Sequence, residues 1–521
     1  MDRKWWTLLA VCAGSFMLLL DVTIVVVALP EIQGSLGAGF AEVQWVVDAY
    51  ALTLAALLLT TGSLADRYGR RRLFALGLGV FTAGSVLCGL AQSPLMLIVS
   101  RCGQGVGGAM MYSTSLALLA HGFPRSERAV AFSVWGAVTG AAVALGPILG
   151  GALTNGLSWR WIFLVNIPVG ALALVVTLGK VEESRAPRVA RPDWTGFGLL
   201  TGGLVGLVYG LIRASENSWG DTAVVACLTA GAVLLVAFVI VESRVAHPMF
   251  DLSLFRTPTF VGGSIAAFTM NASLFAMFLY LVIYLQDVLG YSSLGAGLRL
   301  LIITGALLVA AAVAGRLSER VPIRLLIGPG LALVGIGLFL MAGLHGDSSW
   351  THLVPGFVVA GVGAGLVNPP LAATAIGVVT PDRSGTASGV NSTFRQVGIA
   401  TSVAVLASVL SSSLHRDLDH RLAGVPGLRG HGGQIAAGVR QGDTGKVIAG
   451  APPQQRGVLA AAIRDGFAAG LDNLLVITGV VACVGAVCAL VLIRSRDIIT
   501  SETGEQPKRP PAADGLRTVA R

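Results

Sequence analysis

Apolar runs of about 20 residues recur along the whole chain and alternate with short polar segments. A helix of about 20 residues is long enough to cross the hydrocarbon core of a bilayer. The runs are continuous and do not alternate at period two, as the strands of a membrane β-barrel do. The pattern predicts an all-α, polytopic membrane protein with 14 transmembrane helices. The predicted spans lie near residues 7–29, 44–63, 73–91, 95–119, 130–153, 160–179, 195–213, 222–242, 259–285, 295–316, 323–344, 353–377, 386–411 and 470–493.

Basic residues are concentrated in every second connecting segment. The N-terminal segment and the loops after the even-numbered spans contain Arg3, Lys4, Arg67, Arg70, Arg71, Arg72, Arg125, Arg128, Lys180, Arg185, Arg188, Arg191, Arg244, Arg256, Arg316, Arg320, Arg324 and Arg383. The opposite short loops contain Arg160 and, at the edge of a span, Arg213. Because short cytoplasmic loops are enriched in Lys and Arg, we expect a multi-pass protein of the bacterial plasma membrane with both termini in the cytoplasm.

Composition narrows the class of protein further. The chain is 54% hydrophobic and 12% charged, whereas soluble domains carry about 25% charged residues. The net charge of +9 follows from the basic loops, so we expect no nucleic-acid partner. The six cysteines lie in apolar runs without metal-ligand spacing, and we predict neither a metal site nor a cofactor. The sequence contains no P-loop and no catalytic constellation, which argues against ATP as the energy source and against an enzyme.

An internal repeat divides the chain. The second span ends in "GSLADRYGRRR" (62–72) and the tenth ends in "GRLSERVPIR" (315–324), 253 residues later. Equivalent placement of the two segments predicts two six-helix bundles with two inserted helices between them. The predicted domains are residues 1–194 (first bundle), 195–258 (inserted helices and linker), 259–494 (second bundle, with a long extracytoplasmic loop at 412–469) and 495–521 (a cytoplasmic tail that we expect to be disordered).

Several segments in order resemble the major facilitator superfamily, and more specifically its fourteen-span drug:proton antiporters of the EmrB/QacA type. The segments that carry the resemblance are "LDVTIVVVALP", "GSLADRYGRRR", "LIVSRCGQGVGGA", "GAVTGAAVALGPILGG", "WRWIFLVNIPVG" and "HPMFDLSLFR". The chain departs from this family at Val26, where an asparagine is common. The resemblance implies two six-helix bundles that open alternately to the two sides of the membrane.

The segment at the end of the second span is predicted to act as a conformational switch. A carboxylate at Asp66 can meet the positive N-terminal end of a neighbouring helix, and Gly62 allows that helix to approach closely. The resemblance implies that this contact holds the two bundles together and releases them during transport. A plain positive-inside anchor is the alternative. The predicted switch residues are Gly62, Asp66, Arg67, Gly69, Arg70 and Arg71.

The fifth span carries a seam of small residues around a proline. Small residues permit close helix packing, and proline bends a helix. We expect the seam to pack across the interface between the bundles, and the resemblance implies that it closes the outer mouth of an exporter; ordinary small-residue packing is the alternative. The predicted seam consists of Gly136, Gly140, Gly146, Pro147, Gly150 and Gly151.

Ionisable residues inside the spans are candidates for function, because a charge at bilayer depth is costly. A rise of about 1.5 Å per residue places Asp21, Asp48 and Arg101 together in the outer half of the first bundle. Arginine stays charged, so we expect Asp21 or Asp48 to carry the proton, with a static buried ion pair as the alternative. The residues expected near a central cavity are Arg395, Asn368 and Arg299.

The expected function is proton-driven export of a small hydrophobic or cationic drug-like substrate from the cytoplasm or inner leaflet. The expected partners are this substrate, protons and the lipid bilayer. An exporter of one metabolite or self-made antibiotic is one alternative, and a membrane sensor without transport is another.

Overall fold

The structure is a computed structural model that describes most of the chain. The described residues are 2–38, 40–124, 127–185, 194–216, 219–245, 252–318, 320–346, 348–380, 384–423, 425, 428, 431–440 and 444–498. They form helices joined by turns, without a β-strand among them, so the predicted all-α fold class is confirmed. Part of the motif at 247–256 and the predicted tail from residue 499 onward lie outside the described residues.

Within these ranges the chain forms a series of long helices. They are α1 (Arg3–Leu36), α2 (Phe40–Tyr68), α3 (Arg70–Gly89), α4 (Pro94–Gly122), α5 (Arg128–Gly156), α6 (Trp161–Lys180), α7 (Trp194–Glu216), α8 (Thr222–Glu242), α9 (Pro258–Gln286), α10 (Ser293–Leu317), α11 (Arg324–Met341), α12 (Val354–Gly377), α13 (Ser384–Leu422) and α14 (Arg456–Leu492). Two short helices, Gly432–Arg440 and Thr444–Gly450, lie between the last two.

Twelve of these helices are long and apolar enough to cross a membrane, and a bent α5 raises the number to 13. The helix outside that set is α4, whose 29 residues include buried Arg101 and Gln104. These side chains face the interior of the protein and not lipid, so the helix can be polar without meeting hydrocarbon. The total of 14 spans therefore stays a prediction.

The apolar cores follow the two bundles. One large cluster of buried side chains comes from α9 to α14 and the loop between the last two helices. Two others come almost wholly from α1 to α6. The inserted hairpin of α7 and α8 packs on the outside, where Thr201 bonds Thr60 of α2 at 3.2 Å and Trp219 donates to Ser408 of α13 at 2.8 Å. The hairpin thus touches both bundles, and the exact domain boundaries at 194 and 258 remain predictions.

The last two long helices extend beyond their predicted spans into the segment predicted as a loop. α13 continues to Leu422, and α14 begins at Arg456. Leucines at four-residue spacing from Leu410 to Leu422 are buried in a core that also contains Phe467 of α14. Arg421 bonds Asp465 across the two helices at 2.7 Å. This packing stabilises the helical extensions, so part of the predicted loop 412–469 is helical, and its place outside the membrane stays a prediction.

Candidate functional site

The centre of the first bundle contains a buried ion pair. Asp21 of α1 and Arg101 of α4 are both 0% exposed, and an oxygen of the carboxylate accepts a hydrogen bond from the guanidinium. The other carboxylate oxygen accepts from Nε2 of Gln104 at 2.9 Å. The structure therefore brings together two of the three residues, Asp21 and Arg101, that the rise along the helices had placed in the outer half of the first bundle.

A second layer of polar side chains surrounds this pair. Gln104 also donates to Oγ of Ser85 at 2.8 Å and accepts from Arg101 at 2.7 Å. Nδ2 of Asn166, from α6, lies 3.3 Å from Oδ1 of Asp21. These side chains were not predicted from the sequence, although Gln104 lies three positions after Arg101 on one helix face and Asn166 belongs to the quoted segment "WRWIFLVNIPVG".

The arginine is held by more than its carboxylate. Nε of Arg101 donates to the carbonyl oxygen of Val46 at 2.9 Å. Its guanidinium carbon lies 4.2 Å from the ring centroid of Tyr50 and 5.8 Å from that of Phe163. Aromatic faces stabilise a desolvated cation. The charge of Arg101 is therefore neutralised on one side by Asp21 and covered on others by aromatic rings.

Asp48 lies close in sequence to Val46, whose carbonyl oxygen accepts a hydrogen bond from Arg101. It follows Val46 by two residues on α2 and is half-buried. The hydrogen bonds to the Asp21 carboxylate come from side chains of α4 and α6. A role for Asp48 in proton binding stays a prediction.

Asp66 caps a helix of the opposite bundle. We call the end of the molecule at which α1 and α13 begin the basic end. There, Oδ1 of Asp66 accepts from the backbone N–H of Gly385 at 2.8 Å, and Oδ2 accepts from that of Thr386 at 2.7 Å. Arg70 also bonds Asp66, at 2.7 Å. Because helix N-termini carry unpaired N–H groups and positive potential, the carboxylate ties α2 to α13.

The next switch residues order the turn into α3. Gly69 has φ +111°, a conformation that favours glycine. The Glu183 carboxylate accepts from the backbone N–H of Arg71 at 3.1 Å and so caps α3. The guanidinium of Arg67 lies 5.4 Å from the Tyr68 ring. These contacts form within the first bundle, so Asp66 makes the cross-bundle bonds and its neighbours support the turn.

Gly62 lies where α2 and α13 cross. A Cβ at this position would be 2.5 Å from the carbonyl oxygen of Gly385 and 3.2 Å from Cα of Gly389. Both atoms belong to backbone, which cannot rotate away. The absent side chain therefore permits the approach that lets Asp66 reach α13.

Two glycines of the α5 seam face the second bundle. A Cβ on Gly136 would lie 3.6 Å from Cβ of Asn368, and one on Gly140 would lie 3.0 Å from a methyl group of Leu307. These neighbours belong to α12 and α10. This half of α5 therefore packs across the interface between the bundles, as expected for the seam.

The next two glycines of the seam face α1 and not the second bundle. A Cβ on Gly146 would lie 2.6 Å from Cβ of Thr23, and one on Gly150 would lie 2.9 Å from the carbonyl oxygen of Ile24. The expectation that the whole seam crosses the interface is wrong for these two. They instead let α5 pack closely on the helix that carries Asp21.

A bend in α5 accompanies this change of partner. The segments Val130–Val143 and Ile148–Thr154 are inclined at 43°, and the sequence places Pro147 between them. Proline removes a backbone hydrogen bond and clashes with the preceding turn. Gly151 is buried in the second segment.

We predict that Gly146→Ala lowers the stability of the protein. The new methyl group must displace Thr23 or separate α5 from α1, and such overpacking costs about 1–3 kcal/mol. Thermal unfolding of the purified protein measures the change. The control is Gly156→Ala on the same helix, where a Cβ meets nothing within 4 Å; an equal effect of both substitutions would contradict the prediction.

The residues expected near a central cavity separate into two places. Arg395 is 5% exposed and donates to Oδ1 of Asn368 at 3.1 Å and to Oδ1 of Asn391 at 3.0 Å. Arg299 lies near the start of α10, with its guanidinium carbon 3.5 Å from the ring centroid of Tyr291. The structure thus joins Arg395 with Asn368. It places Arg299 near the start of α10, where its guanidinium packs on the Tyr291 ring.

Comparison with known proteins agrees with this fold. A family model described as the Major Facilitator Superfamily matches residues 11–403. Multidrug resistance protein Stp of Mycobacterium tuberculosis is 38% identical over 417 residues, or 80% of this chain and 78% of that protein. The tetracenomycin C resistance and export protein of Streptomyces glaucescens is 34% identical over 498 residues, or 94% of this chain and 91% of that protein.

A solved structure shares the architecture at low sequence identity. The crystal structure of the human organic anion transporter MFSD10 covers 86% of this chain and 99% of its own, with a TM-score of 0.59 and 17% identity. A likeness at this identity concerns the fold alone. The two-bundle helical fold, the family model and the relatives agree that this chain belongs to the Major Facilitator Superfamily.

Proposed function

We propose that this protein is a proton-coupled exporter of drug-like molecules that works by alternating access. The relatives named above are called a multidrug resistance protein and a resistance and export protein. Membership of a transporter superfamily and a buried, protonatable ion pair support the same function. In this proposal the proton gradient supplies the energy and no cofactor takes part.

The observation that carries the proposal is the fully buried pair of Asp21 and Arg101. Arginine remains charged at any physiological pH, so the aspartate is the partner that can bind a proton. Protonation removes the negative charge that faces Arg101, and electrostatic attraction is strong in a poorly solvated interior. Proton binding therefore changes the contact between α1 and α4.

The contact between α2 and α13 supplies a gate at the basic end. The bonds from Asp66 to Gly385 and Thr386 join the two bundles there, and they must break for that end to open. On α1, below Asp21, Ser15 accepts a hydrogen bond from Trp135 of α5 at 2.9 Å. A shift of α1 on protonation would therefore move α5, which packs between the two bundles.

The basic loops support an orientation in the bacterial plasma membrane with the basic end and both termini in the cytoplasm. Protons then enter from the opposite end and the cargo leaves there. At 100 mV, each proton that moves inward contributes about 2.3 kcal/mol, which corresponds to a cargo gradient of about 50-fold.

The cargo in this proposal is a small hydrophobic molecule that enters from the cytoplasm or the inner leaflet. A cationic cargo has less support from the site than a neutral or anionic one. The buried carboxylates Asp21 and Asp66 are both bonded to arginine, whereas the charged side chain near the centre of the interface is Arg395.

A second candidate function is the export of one specific self-made antibiotic. It is favoured by the relative named for tetracenomycin C, which matches 94% of the chain. A membrane sensor without transport is a third possibility; it would tolerate loss of Asp66 and Arg101 together.

A susceptibility panel tests the proposal. Expression in an efflux-deficient bacterium should raise the inhibitory concentration of several hydrophobic antibiotics, and a proton uncoupler should abolish intracellular exclusion of a fluorescent compound. Protection against one compound alone would favour the specific exporter. An unchanged panel, with the protein present in the membrane, would contradict both transport functions.

A further inference from the structure

Arg395 is a buried cation at mid-depth between the two bundles. It lies 11 residues after Ser384, the first residue of α13, or roughly 16 Å along the helix axis. Its partner Asn368 lies nine residues before the end of α12 at Gly377, or roughly 14 Å from that end. Both therefore lie near the middle of a bilayer core of about 30 Å.

The hydrogen bonds of Arg395 leave part of its guanidinium unused. Nε and Nη1 donate to the amide oxygens of Asn391 and Asn368. Nη2 is buried and has no hydrogen-bond partner among the described residues. Since a buried donor without a partner is costly, this atom is a candidate for contact with a ligand.

The charge of Arg395 is also uncompensated. Buried Arg101 faces Asp21 and buried Arg70 bonds Asp66, but the ion pairs among the described residues do not include Arg395. Its partners are neutral amides, and the group that interacts with it electrostatically is the Tyr112 phenol of α4. A buried cation without a counter-charge is costly, and an anion between the bundles would remove that cost.

Aromatic side chains of the first bundle accompany this cation. The rings of Tyr112 and Trp135 have centroids 6.0 Å apart, and both side chains are buried. Trp135 directly precedes Gly136, which closely approaches Asn368. These rings therefore belong to the part of the first bundle that packs on α12 beside Asn368, the hydrogen-bond partner of Arg395.

We propose that Arg395 binds an acidic group, a carboxylate or an ionised phenol, on an aromatic cargo that occupies the space between the bundles. This inference rests on the proposed export function and specifies the class of cargo. The unused Nη2 can donate a charge-assisted hydrogen bond to an anionic oxygen, while the rings of Tyr112 and Trp135 can cover the apolar part of the molecule. A cationic molecule of the same shape would be repelled.

Two dyes with one aromatic scaffold test this specificity. Fluorescein is anionic and rhodamine 123 is cationic, and both contain the xanthene ring system. Binding to the purified full chain, measured by fluorescence anisotropy, should favour fluorescein by about tenfold, the effect of one charge-assisted contact. No binding of fluorescein, or equal binding of the two dyes, would overturn the inference.

Substitutions identify the residue responsible. Arg395→Gln should abolish the preference, and Arg395→Lys should retain part of it. Asn368→Asp keeps Arg395 in place but puts a carboxylate about 3 Å from it, so the cation is neutralised internally and the preference should also disappear. The control is Arg416→Gln, which removes an exposed arginine from the same helix.

The outcomes separate this inference from the proposed function. A preference that survives in both Arg395→Gln and Asn368→Asp would overturn the assignment of Arg395, even if proton-dependent export persists in the susceptibility panel. If the wild-type protein shows no export that a proton uncoupler abolishes, the proposed function is contradicted instead. Arg395→Lys and Asn368→Asp keep a cation in the interior, so the test does not depend on the folding of Arg395→Gln.

Discussion

Asp21→Asn should abolish proton-coupled accumulation of cargo and leave only downhill movement. In vesicles with an imposed proton gradient, a cargo gradient of about 50-fold per proton should fall to about one. The physical reason is that asparagine cannot bind and release a proton at the position that contacts Arg101. Fluorescent-substrate uptake and a pH-sensitive dye in the same vesicles measure transport and proton movement together.

The Asp21→Asn substitution is also expected to lower the stability of the protein, so control variants are needed. Removing Asp21 leaves Arg101 buried without its counter-charge, and breaking a buried pair in this way costs about 3–5 kcal/mol. The double variant Asp21→Asn with Arg101→Gln removes both charges and should fold more readily, while remaining uncoupled. Asp21→Glu retains a titratable carboxylate and should retain some coupling.

Asp48→Asn provides the matched comparison for a second carboxylate in the same bundle. If Asp21 carries the proton, Asp48→Asn should preserve the dependence of export on pH. If Asp21→Asn exports cargo with an unchanged pH dependence, the role proposed for Asp21 is wrong, and loss of coupling in Asp48→Asn would then assign the proton to Asp48.

Gly62→Val should hold the basic end open. The Cβ of valine would lie 2.5 Å from the carbonyl oxygen of Gly385, and its two methyl groups extend further. Overpacking of this kind costs about 1–3 kcal/mol. The population of the state that is closed at the basic end should therefore fall by a factor of about ten or more. Asp66 would lose its contact with α13, and net transport should fall accordingly.

Cysteine accessibility measures this change directly. Ser388 lies on α13 close to the crossing and is 0% exposed. In inside-out vesicles, which expose the basic end, and in a background without the six natural cysteines, Ser388→Cys should react slowly with a membrane-impermeant maleimide, and Gly62→Val should accelerate the reaction. Gly79→Val is the control because a Cβ there meets nothing within 4 Å; equal rates in all three proteins would contradict a gate at Gly62.

The sequence already contained the elements of the Asp21 site, because helix rise is regular. Counting residues from the ends of apolar runs placed Asp21, Asp48 and Arg101 in the outer half of the first bundle, and the structure joins Asp21 with Arg101. Gln104 and Asn166 were missed because neutral amides do not stand out in an apolar run as charges do. Their role depends on the rotation of α4 and α6, which a single sequence does not specify.

The helices that the α5 seam contacts could not be predicted from the sequence either. Its glycines indicated close packing, but small residues permit contact with any neighbour, so the sequence could not say that Gly136 and Gly140 face the second bundle while Gly146 and Gly150 face α1. The continuation of α13 to Leu422 was missed because it lies outside the apolar runs, although its leucine spacing was a usable signal.

The sequence by itself determined the fold class and the charged residues available inside the spans, and it predicts a duplicated organisation and an orientation in the membrane. These properties depend on the length of apolar runs and on the positions of charges, which are local along the chain. The tertiary structure decided which charges are compensated. Asp21 neutralises Arg101 and Asp66 caps α13, whereas Arg395 bonds amide oxygens and takes part in no ion pair among the described residues. Electrostatic partnership depends on distances between helices that are remote in the sequence.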